Sequence, residues 1–153
     1  MELVDIEIID LVEKWFYMKI YTDNRQAILQ NSNLFGNDAP NIFLETLKLL
    51  EMQETGIKYL RWEGESNSYI WLLEKKEDVL LIEVWSGESR LNQMYEGIEV
   101  LRERKELLFS VTTSFYCFVQ SVKKAFQEYL FNDEKNDSEY NICVNMVNKL
   151  KGY

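Results

Sequence analysis

The chain has 153 residues, 46% of them hydrophobic and 14% aromatic, with six glycines and one proline. That length suits one ordinary domain with its own core, and that composition excludes a disordered or collagen-like polymer. The net charge is −9, from 26 acids against 17 bases, a sign that nucleic-acid phosphates and anionic membrane surfaces repel.

Val4, Ile6 and Ile8 alternate with Asp5 and Glu7, the period-two mark of a half-buried strand. Trp15 to Thr22 is aromatic and β-branched and closes on the turn formers Asp23-Asn24, which predicts a second, antiparallel strand with residues 10–14 as the connection. A helix from Leu11 to Tyr21 is the competing reading of the same residues. Residues 31–40 are rich in turn formers and break the pattern. Asp38 is placed to cap a helix with Pro40 in its first turn. Phe43, Leu47 and Leu50 then recur at helical spacing, and Gly56 is placed to end the element.

Residues 57–62, 68–74 and 78–85 are strand-like runs with short polar connections, which predicts a β-meander. In the third run Leu80, Ile82 and Val84 share one face while Val79, Leu81, Glu83 and Trp85 share the other, as a central strand requires. Residues 90–105 fit a helix or a strand. Residues 107–112 alternate as one more strand, and residues 115–131 carry a broad apolar stripe that includes Phe118, Val122 and Phe126. Tyr140, Cys143, Val144 and Val147 make a short final helix. Helices segregated from a contiguous antiparallel sheet give an α+β fold, with residues 1–153 as a single domain and the helices packed on one face of the sheet.

The missing chemistry narrows the function. The chain has no histidine, which removes Ser-His-Asp and Cys-His nucleophiles and imidazole zinc sites. Two cysteines, Cys117 and Cys143, are too few for a thiolate metal centre or a disulfide framework, and both are expected to be buried thiols. The glycines stand singly, so no phosphate-binding loop occurs. A carboxylate pair or magnesium site is the enzyme chemistry still open. The expectation is therefore no enzyme, no cofactor and no metal. No apolar run is long enough for a membrane span, and the acidic start Met1 to Asp5 is unlike a signal peptide, so a cytoplasmic location is expected.

The charge is uneven, residues 1–56 holding ten acids and four bases. Carboxylates also crowd the predicted hairpin ends at Glu63, Glu65, Glu77 and Asp78, where they could meet a basic partner or merely favour solvated turns. Trp62 and Trp85 on the meander could anchor a partner or fill the layer between sheet and helices.

The order of elements resembles small bacterial immunity proteins that neutralise the toxin domains of polymorphic and wall-associated toxins. The likeness runs through an early strand at Trp15 to Thr22, a helix at 41–54, a meander at 57–85, and a strand entering a helix at Leu107 to Phe115 and onward. It implies a non-catalytic binder of a toxin domain that is basic and attacks nucleic acid, and it implies no catalytic residues. The expected partner is thus a basic protein domain met through Glu63, Glu65, Glu77, Asp78, Trp62 and Trp85, or, failing these, through the acidic N-terminal strand with Glu2, Asp5 and Glu7. Direct nucleic-acid binding is not expected. A regulatory module that inhibits a nucleic-acid enzyme and a small-molecule-binding domain are the alternatives.

Overall fold

The computed structural model describes residues 1–12, 15–32, 38–64, 67–88, 98–132 and 145–151. Strands β1 (Asp5–Val12), β2 (Trp15–Tyr21) and β3 (Gln26–Ser32) form one antiparallel sheet in that order. Helix α1 (Ala39–Glu51) leads to a second antiparallel sheet, β4 (Thr55–Glu63), β5 (Asn67–Lys76), β6 (Val79–Glu88) and β7 (Arg104–Ser114), also in chain order. A 3-10 helix (Ile98–Glu103) precedes β7, and α2 (Phe115–Asn132) follows it without a break. The architecture is α+β, as expected.

The alternation of β1 sends Ile6 and Ile8 inward. A register shift between Ile8 and Asp10 then leaves Ile9, an isoleucine, 45% exposed. Strand β2 buries Phe16, Met18 and Ile20 and turns Trp15, Tyr17, Lys19 and Tyr21 outward. Residues 10–12 belong to β1 rather than to a connection. Strand β3 is not foreshadowed by its residues: Asn31 and Ser32 read as turn formers, yet both pair with β2 and are buried.

In α1, Pro40 sits in the first turn, where its missing N–H is not needed. The Asp38 side chain makes no capping bond to the backbone and instead accepts from Asn41 Nδ2 at 2.7 Å. The helix ends at Glu51, short of Gly56, which lies in β4 where a side chain would run into Gln53 and Leu50. Helix α2 has a regular start. Ser114 Oγ accepts from the Cys117 N–H at 3.2 Å, which satisfies one of the orphan donors of the first turn.

The inner faces of both sheets and the apolar stripes of α1 and α2 meet in one cluster. Its centre is aromatic: Trp62 and Trp71 have ring centroids 5.0 Å apart, Phe16 approaches Trp62 at 5.2 Å, Phe43 approaches Trp71 at 5.3 Å, and Phe126 lies 6.0 Å from Phe16. Phe118, Val122 and Phe126 are all fully buried, as the helical stripe predicts. Residues 145–149 are helical and insert Val147 and Leu150 into the core. The carbonyl of Lys149 accepts from Lys48 at 2.9 Å and that of Leu150 from Lys123 at 2.6 Å, so cations of α1 and α2 hold the chain end. The rest of the predicted final helix, with Cys143, lies outside the described residues, and Cys117 is half-buried.

Helices α1 and α2 lie on the core side. The 3-10 helix covers the opposite face of β4 and β5, an addition to the expectation of helices on one face. There Val100 is buried but stands apart from the main cluster. Gly87 permits this cover, since a Cβ there would crowd Ile70 and lie 3.2 Å from the Glu103 carbonyl oxygen. Among the described residues, no helix is long and apolar enough to cross a membrane.

Candidate functional site

The predicted site residues do not form one surface. Glu63 ends β4 and pairs with Ser68 near the start of β5, whereas Glu77 and Asp78 form the turn after Lys76 at the other end. Strand β5 runs from Asn67 to Lys76 between them, about 30 Å at 3.3 Å per residue. Alternate hairpins of a meander point in opposite directions, so crowding in sequence is not crowding in space.

Glu63 is moreover 0% exposed. Its Oε2 accepts from Arg61 Nε at 2.9 Å, and Arg61 Nη1 also bonds Glu103 Oε2 from the 3-10 helix. The Glu63 N–H donates to Asn31 Oδ1 at 2.8 Å, which ties β4 to β3. Glu63 is therefore no rim carboxylate. It belongs to a buried ion-pair network that fastens the 3-10 helix to the sheet. Trp62 is likewise corrected: it is 1% exposed and stands among Phe16, Phe43 and Trp71. Trp85 is half-buried, with the Arg104 guanidinium 4.9 Å over its ring. Glu65 lies outside the described residues.

The turn at Glu77 and Asp78 is exposed, but Asp78 has a task within the fold. Its Oδ2 accepts from Ser114 Oγ at 2.6 Å and its Oδ1 from the Tyr116 N–H at 2.9 Å. A carboxylate at the positive end of α2 is favourably placed. Glu77 has φ of 54°, a left-handed backbone rare outside glycine, and its N–H donates to the Glu54 carbonyl at 2.8 Å.

The acidic N-terminal strand gives a different picture. The register places Asp5, Tyr21 and Gln26 in one row across the outward face of the first sheet, and Glu7, Lys19 and Ile28 in the next. Trp15 and Tyr17 continue that face as a stacked pair with centroids 5.9 Å apart, and Lys19 Nζ lies 4.7 Å over the Tyr21 ring. All four β2 residues are half-buried, and Ile28 is 55% exposed. Asp5 and Glu7 are exposed at the edge. Loss of solvent pushes the Tyr21 phenol above its ordinary 10.0, and the nearby carboxylates of Asp5, Glu7 and Glu128 push it in the same direction. Sequence reasoning singled out the acids of this strand but not the aromatic row beside them. The signal was present, since Trp15, Tyr17, Lys19 and Tyr21 fall two residues apart.

Among the described residues, no group of three or more acids or thiols is arranged to hold a metal ion. No protein-family model, curated protein or solved structure matches this chain.

Proposed function

We propose that this protein is a non-catalytic binding protein that covers a basic protein domain with the outward face of its first sheet, and that immunity to a toxin domain is the concrete form of that task. The observation that carries the reading is the row of outward aromatics at Trp15, Tyr17 and Tyr21, set beside Asp5 and Glu7 and the exposed Ile28. Half-buried aromatics supply large contact area at low entropic cost, and they are enriched where binding energy concentrates. Carboxylates along their edge favour a cationic partner and disfavour phosphate backbones. A soluble cytoplasmic setting is part of this reading.

The test is co-expression with the reading frame next to its gene, followed by purification of the complex. Tyr17→Lys and Glu7→Lys should each weaken that complex strongly, whereas Glu106→Lys, on the exposed start of β7, should leave it nearly unchanged. Equal affinity in all three variants would remove the first sheet as the interface. A stable complex with nucleic acid at physiological salt would overturn the reading altogether.

A further inference from the structure

Helix α2 runs beside β1, the outer strand of the first sheet, with Ser121 Oγ 3.5 Å from Asp5 Oδ1. One turn further along the helix a cleft of about 390 Å³ opens between the two elements. Ile8 and Ala125, both buried, lie at its base. Tyr21 and Tyr129 give it half-buried phenol rings, and the exposed Glu7 and Glu128 bring a carboxylate from the strand and another from the helix. Apolar base, aromatic rings and carboxylates thus converge from separate elements, and the cleft is continuous with the outward sheet face through Glu7 and Tyr21.

We propose that this cleft receives one arginine side chain of the basic protein partner, an assignment that rests on the proposed function above. An anion is repelled by both carboxylates, and a neutral ligand would strip them of water without return. A hard divalent cation takes oxygen ligands and water, and would leave the phenol rings and the apolar base without a partner. An organic cation satisfies both kinds of lining. Between the two that proteins carry, guanidinium fits better than ammonium: it is planar, stacks on aromatic faces, takes a carboxylate in two-pronged fashion and is the more weakly hydrated. The protein already shows that the Tyr21 ring accepts a cation, because its own Lys19 rests there. Lys19 is then the group that an incoming guanidinium competes with. The Tyr21 phenol is raised first by loss of solvent and then by the carboxylates of Asp5, Glu7 and Glu128, two of which line this cleft.

The experiment titrates the isotopically labelled full chain with a blocked arginine amide and, separately, a blocked lysine amide, and follows amide and ring resonances. The arginine probe should shift Tyr21, Ala125, Glu128 and Tyr129 with millimolar affinity, and the lysine probe should bind more weakly at the same residues. Glu128→Gln should weaken arginine binding by roughly threefold to tenfold. Ala125→Leu should fill the base and abolish it, and Lys19→Ala should strengthen it. No shifts at these residues, equal response to both probes, or indifference to Glu128→Gln overturns the pocket. The partner complex separates this failure from that of the wider reading. A complex lost in Tyr17→Lys but kept in Ala125→Leu and Glu128→Gln removes the pocket and keeps the face. A complex indifferent to all three removes the face, while the probe titration still judges the pocket.

Discussion

Arg61 and Glu63 are two residues apart on β4, which puts both side chains on the face opposite Leu60 and Trp62. Buried at 1% and 0% exposure, they are tolerable only as partners, and Glu103 completes the set. Removing Arg61 leaves buried carboxylate charge without its main counter-charge, and such breaks cost about 3–5 kcal/mol. Arg61→Met should therefore lower the urea midpoint by far more than Glu63→Gln, which keeps an acceptor for Arg61. Tyr69 on β5 makes a pH prediction. Burial raises its phenol above 10.0, against a smaller downward pull from its hydrogen bond with Gln30. A raised value in the fold means that its stabilising contribution is whole below pH 10 and is lost as pH rises through the folded value. The denaturant midpoint of the native chain should hold below pH 10 and fall as pH is raised above it, and the fall should be smaller in Tyr69→Phe.

At the scale of elements, the turn of β5 and β6 is joined to the head of α2 through both carboxylate oxygens of Asp78. Asp78→Ala should cost about 1 kcal/mol, within the 0.5–2 range for lost caps, measured by thermal or urea unfolding. Glu77→Gly should instead be neutral or stabilising by up to about 1 kcal/mol, because glycine relieves the left-handed backbone. Elements with strong period were legible without the structure: the meander, the alternation of β1 and the stripe of α2. Strand β3 was not, because Gln, Asn and Ser carry little strand preference and its pairing with β2 is a tertiary effect. The candidate site was less legible than the fold. Sequence places Glu63, Glu65, Glu77 and Asp78 close together, but only the length of β5 shows that two hairpins point apart. The burial of Glu63 follows from the cover by the 3-10 helix, whose residues gave no clear pattern. Cleft residues Glu7 and Glu128 lie in separate parts of the chain and meet only by the packing of α2 on β1.

For the whole molecule, the question is whether the −9 charge acts through its total or through its placement. Total charge steers diffusing partners and mainly sets the association rate, whereas groups pressed against the partner set the dissociation rate. Two sets of variants separate these roles at equal change in net charge. Reversing Glu74 and Glu106, both exposed and on the second sheet, alters the total while leaving the outward aromatic face intact. Reversing Asp5 and Glu7 alters the total by the same amount on the proposed face. Both pairs should slow association with the basic partner, and the difference from the native rate should shrink as salt rises. Only the Asp5 and Glu7 pair should also speed dissociation, with a loss of about 2–5 kcal/mol if those carboxylates are desolvated in the complex. Stopped-flow association and dissociation rates at low and physiological salt provide the comparison. Matching dissociation rates for the two pairs would mean that the acidity is a long-range lure alone, and the binding energy would then have to come from the aromatic row of Trp15, Tyr17 and Tyr21.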